Sequence, residues 1–228
     1  MLEWLHTLHS PEGISQIIEA GGLLALIGII FAETGLLVGF FLPGDSLLVT
    51  AGVLANPHNA NHIAALNVVW MNVFLAIAAV VGDQFNFYLG NKTGNAIWDR
   101  PDSRFYKRKH MEEAHAFYEK WGGVAIVAAR FVPILRTFVP FVAGVARMPY
   151  RNFVMWNIFG GVGWVTSVLW LGYYLGQTRF AQSLDKVIVI VILVSFLPIV
   201  IGFIKRWITQ SIKKKAALPA APSIKSDL

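Results

Sequence analysis

Five oily runs, each close to the length that crosses a bilayer, constrain this chain more than any other feature. They are residues 21–42, 67–90, 124–146, 152–176 and 187–204. A spanning helix needs about 20 apolar residues. The composition belongs to the same class: 56% hydrophobic, 14% charged, mean hydropathy +0.57, against about a quarter charged for a soluble domain. The expected fold is therefore an all-α polytopic membrane protein.

Charges inside these runs are the exceptions that matter. Glu33 and Asp45 bracket an oily stretch that ends in Pro43-Gly44. Arg130, Pro133, Arg136 and Pro140 interrupt residues 124–146. Asp83, with Gln84 and Asn86, lies near the second end of 67–90. Ionisable groups at bilayer depth are costly, so they face the protein interior, find partners and mark function. Two prolines and two arginines make a single straight span over 124–146 improbable. A broken hairpin buried in protein tolerates such irregular backbone. Pro43, Gly44, Pro133 and Pro140 are accordingly read as hinges that expose backbone groups to a site.

Charge placement sets the orientation. No Lys or Arg precedes Lys92, and residues 91–120 hold seven Lys or Arg against five acids. More basic residues follow Ile204. Positive-inside placement puts the 91–120 connector and the C-terminus in the cytoplasm. It follows that 187–204 and 67–90 run inward, 152–176 runs outward, and 121–147 leaves from and returns to the cytoplasm. Residues 21–42 could be an ordinary span with Glu33 in its middle, or 21–55 could be a second re-entrant hairpin.

A repeat tilts that choice. The first half carries Ala51-Gly52-Val53, then a span closing on Tyr88-Leu89-Gly90-Asn91. The second carries Ala143-Gly144-Val145, then a span closing on Tyr174-Leu175-Gly176-Gln177. The same order twice argues for an internal repeat. The expected architecture is thus an inverted repeat with two re-entrant broken hairpins, 21–55 and 121–147, plus three to four transmembrane helices. Residues 1–20 are read as an interfacial amphipathic helix rather than a signal peptide, since no basic residue precedes the apolar part. The membrane domain is 21–205, and 206–228 is read as a basic, largely disordered tail.

The hairpins bring two negatives, Glu33 and Asp45, and two positives, Arg130 and Arg136. Four charges at similar depth can neutralise one another, which lowers the cost of burying each. Arginine also binds phosphate bidentately. An anionic substrate could compete with the carboxylates for the arginines, and protonating Glu33 or Asp45 would free an arginine to bind it. Asp83 is a further candidate for proton coupling. The competing view is a structural salt-bridge network that only holds the hairpins together.

Phe31-Ala32-Glu33-Thr34-Gly35, Pro43-Gly44-Asp45, Gly82-Asp83 and Arg130-Phe131-Val132-Pro133-Ile134-Leu135-Arg136 with Ala143-Gly144 resemble the DedA family of bacterial inner-membrane proteins, related to the VTT-domain scramblases. The resemblance covers roughly residues 15–205. It implies two re-entrant hairpins and lipid translocation, with recycling of undecaprenyl phosphate as the expected role and dependence on the proton-motive force in some members. The family's acidic pair maps onto Glu33 and Asp45, and its arginine pair onto Arg130 and Arg136.

Other chemistries find no support in the sequence. The chain has no Cys. His58 and His62 lack a third ligand, and His110 to His115 does not match His-Glu-x-x-His, so no metal or cofactor is expected. No nucleophile triad, phosphate-cradling loop or dinucleotide motif appears, so no enzyme is expected. The net charge of +6 is a topology signal, not a nucleic-acid footprint. The leading expectation is a flippase of a polyprenyl phosphate lipid in the bacterial inner membrane, with assembly into homo-oligomers allowed for. The rivals are a proton-coupled antiporter of small cations or osmolytes, and a non-transport protein that supports envelope assembly through partners.

Overall fold

In a computed structural model the described residues are 11–59, 62–98 and 123–178, and all their regular structure is helical. The connector beyond residue 98, the 187–204 run and the basic tail lie outside them. Helix α1 (Pro11–Gly35) is broken by a kink at Gly22, whose positive φ of 53° is open to glycine at little cost. A short 3₁₀ helix (Leu37–Phe41) and α2 (Gly44–Leu54) follow. Helix α3 is Val68–Trp98. Residues 123–129 are helical, then α4 is Pro133–Val145 and α5 is Tyr150–Leu175. Three helical stretches among the described residues are long and apolar enough to cross a membrane: Gln16–Gly35, Val68–Gly94 and Tyr150–Leu175.

The first oily run does not continue as one helix to Leu42. Leu36 is extended, with φ −113° and ψ 135°, so the helix stops at Gly35. Glu33 therefore sits at a helix end, not mid-span. The second interrupted run breaks similarly. Residues 130–132 form a turn, and α4 starts on Pro133, where a missing N–H costs nothing. Pro140 lies inside α4 and deprives the Arg136 carbonyl of its usual helical donor.

The halves pack crosswise. Gly52 on α2 lies so close to α5 that a Cβ would strike Leu169 O, Tyr173 N and the Gly172 backbone. Gly144 on α4 meets Phe87 O, Asn91 N and Gly90 of α3 in the same way. The return contacts match too: Gly172 meets Val49 O, as Gly90 meets Phe141 O, and Gly176 meets Val53 O, as Gly94 meets Val145. Small residues permit this approach of backbones, which is how helices gain packing in lipid. These pairs align Gly90 with Gly172 and Gly94 with Gly176. The sequence match of Gly90 with Gly176 is thus displaced by one helical turn, because the contact surface, not residue identity, defines equivalence.

The two larger apolar cores lie apart in the bundle. One gathers Ile18, Leu26, Ile30, Leu47, Leu75, Trp164 and Leu169 among others, and the second gathers Phe87, Ile126, Ala143 and Phe153. Phe87 stacks on Phe153 with ring centres 4.3 Å apart. Between the cores, α1 and α3 cross at Gly35 and Gly82, which brings Glu33 and Asp83 into the interior. Both are buried, as are Arg130 and Arg136.

Candidate functional site

The four charged residues singled out in the sequence are brought into the interior, but not as one quartet. Arg136, on the first turn of α4, binds both Glu33, at the end of α1, and Asp45, at the start of α2. Its Nη2 donates to Glu33 Oε1, and its Nη1 donates to Asp45 Oδ1 at 2.6 Å. Asp45 sits in the first turn of α2, where the helix dipole favours a negative charge. The Glu33 carboxylate lies against Gly44, the first residue of the same helix. A Cβ at Gly44 would overlap it, so this glycine makes room for the acid in addition to following the break at Pro43.

Trp164 of α5 completes this centre. Its Nε1 donates to Asp45 Oδ1 at 2.9 Å, and the Arg136 guanidinium stands 4.9 Å from the centre of its ring. Asp45 is the least enclosed member, with its side chain 16% exposed against 0% for Glu33 and 7% for Arg136.

Arg130 does not join Glu33 and Asp45, contrary to the pairing expected from the sequence. It occupies the turn between 123–129 and α4, and its Nη2 donates to Asp83 Oδ2 and Asn157 Oδ1. Asn157 also donates to Val80 O at 3.0 Å. The route is cut by a pair of glycines on α5: a Cβ at Gly160 would stand 3.0 Å from Arg130 Cδ, and one at Gly161 3.3 Å from its Cζ. The guanidinium thus passes over α5 toward α3 rather than toward Glu33 and Asp45. Asp83 therefore holds Arg130 directly.

Two residues with a part in these centres, Asn157 and Trp164, were not marked by the sequence pattern. An Asn followed by Gly160-Gly161 inside an apolar helix was the available signal for the first. For Trp164 there was none, since tryptophans are frequent in such chains. His58 and His62 lie in the loop after α2, and among the described residues no group of three His, Cys, Asp or Glu could hold a metal ion.

The VTT domain family matches residues 42–174, which include Asp45, Asp83, Arg130, Arg136 and Trp164. Protein DedA of Escherichia coli (strain K12) is 40% identical over 218 residues, 94% of each chain. The chain belongs to the DedA family. Uncharacterized membrane protein ML0287 of Mycobacterium leprae (strain TN) is 39% identical over 213 residues, 92% of this chain and 91% of that one. Uncharacterized membrane protein Rv0364 of Mycobacterium tuberculosis (strain ATCC 25618 / H37Rv) is 39% identical over 191 residues, 83% and 82% of the two chains. No solved structure gives a significant match. Membership in the DedA family and the three apolar helices make this a membrane protein.

Proposed function

We propose that this DedA-family protein moves a phosphate-headed lipid of the polyprenyl type, such as undecaprenyl phosphate, across the bacterial inner membrane. In this reading Arg136 takes the phosphate, and protons taken up by Glu33 or Asp45 release it for binding. The observation that carries the reading is the sharing of Arg136 between two carboxylates, the outer of which, Asp45, is partly exposed. A phosphate presents the same kind of oxygen pair to a guanidinium. Replacing a carboxylate by a phosphate keeps the buried cation paired, so the large cost of an unpaired buried charge is never met.

Arg130 has a different part in the same reading. Asp83 and Asn157 already hold it, and it fixes the second hairpin to α3 and α5 while Arg136 exchanges partners. The broken hairpins follow a construction that secondary transporters use near the bilayer midplane, with repeats that rock around a fixed site. The crosswise glycine contacts supply two equivalent surfaces for such rocking.

The test is flipping of a labelled polyprenyl phosphate in liposomes holding the purified protein. Wild type flips it, Arg136→Ala does not, and Glu33→Gln flips it without dependence on pH. Equal rates for wild type and Arg136→Ala overturn the reading. Exchange of a small cation for protons in the same vesicles, with no lipid flipping, identifies an antiporter instead.

A further inference from the structure

Asn86 is fully buried on α3, between the crossing of α1 at Gly82 and the contact of α4 at Gly90. It stands one helical turn beyond Asp83. Its side-chain nitrogen donates to Thr34 O at 3.1 Å and to Thr137 O at 2.7 Å. These carbonyls belong to different hairpins. Each also belongs to the residue directly after one partner of the central ion pair: Thr34 follows Glu33, and Thr137 follows Arg136.

We propose that Asn86 is the positioning residue that sets the spacing of the two hairpins and hence the register of Glu33 against Arg136. One amide nitrogen has two hydrogens to give, and both are spent on backbone, one per hairpin. A carboxamide is rigid, so the two carbonyls are held at a fixed separation. The orientation of the amide follows from its partners: turned over, it would set its own oxygen against two carbonyl oxygens. Any relative motion of the hairpins that separates Thr34 from Thr137 must break one of these bonds. Asn86 is thereby a latch on the motion that the translocation reading requires. The latch itself is measurable whether or not a lipid moves.

The absence of Cys makes the measurement direct. Val38 on the first hairpin and Leu135 on the second are exposed. Spin labels on Val38→Cys and Leu135→Cys in lipid nanodiscs report the distance between hairpins. The wild-type background gives one narrow distribution. Asn86→Leu, similar in size but without donors, gives at least about a doubling of its width or a second, longer distance, as expected when a minor state is released. Leu75→Ala, in the core away from the bracket, serves as the control for stability loss alone. Identical distributions for Asn86→Leu and wild type overturn the proposal, as do identical broadenings for Asn86→Leu and Leu75→Ala. If Asn86→Leu does not yield folded protein, Asn86→Gln decides, since it keeps both donors on a side chain one methylene longer. A narrow distribution with a displaced mean supports the latch, and an unmoved mean overturns it. Flipping assayed on the same samples separates the two readings, because the distances do not depend on it.

Discussion

The indole nitrogen of Trp164 and the guanidinium of Arg136 share one oxygen of Asp45. Oδ1 accepts from Trp164 at 2.9 Å and from Arg136 at 2.6 Å. The partly exposed carboxylate is thus tied to α5 as well as to α4, and the ring of Trp164 covers the cation that Asp45 neutralises.

Trp164 is expected to act through two separable contacts. Trp164→Phe keeps an aromatic ring near Arg136 but removes the hydrogen bond to a charged acceptor, at a cost of about 1.5–3 kcal/mol. Trp164→Leu also removes the cation–π contact, which adds roughly 0.5–2 kcal/mol. Chemical unfolding in detergent checks the order wild type, Phe, Leu. Equal stabilities for Phe and Leu would remove the cation–π part.

Asp83 and Arg130 form a buried pair whose members depend on each other. Asp83→Ala or Arg130→Ala alone leaves an uncompensated buried charge, costing about 3–5 kcal/mol. The double variant is expected to lose much less than the sum, as contacting residues do. Additive losses in a double-mutant cycle of unfolding free energies would refute a direct pair.

Gly44→Ala sets a methyl group into the Glu33 carboxylate. Overpacking of this kind costs about 1–3 kcal/mol. In a Glu33→Ala background the obstacle is gone, so the same change at Gly44 should cost little. A melting-temperature cycle over the four proteins checks this. An equal penalty in both backgrounds would place the strain elsewhere.

The crosswise seams predict matched responses. Gly52→Ala and Gly144→Ala each drive a Cβ into the backbone of a facing helix, α5 in one case and α3 in the other. A flexible side chain can yield, but backbone cannot, so both are expected to cost upward of about 2 kcal/mol. Gly163, with nothing within 4 Å of a Cβ, is the tolerant control, and Gly163→Ala should be neutral or slightly stabilising. Helicity and melting temperature of the three variants decide it.

Much of the site's charge is legible in the sequence. Glu33, Asp45, Asp83, Arg130 and Arg136 stand out because charge is so rare in apolar runs. Pro43 and Pro133 mark the starts of α2 and α4, as proline's missing donor and fixed φ allow, whereas the end of α1 at Gly35, ahead of Pro43, was not legible. The pairing could not be read in the same way. Charge balance allowed either arginine to meet either acid. Gly160-Gly161 turns Arg130 toward Asp83, and the end of α1 at Gly35 delivers Glu33 to Arg136. Asn86 looked like one polar residue among three near a helix end until its two carbonyl partners were in place.

The sequence by itself determined that the chain enters a membrane as helices, that two of its apolar runs are interrupted, and which side chains carry charge into it. Each of these depends on local quantities: the length of an apolar run, the chemistry of proline, and the cost of a charge in hydrocarbon. Only the tertiary structure decided which arginine serves which acid, which glycine answers which, and that Asn86 joins α1 to α4. Those depend on how closely and at what height helices cross, and a few glycines far apart in the chain set that approach together.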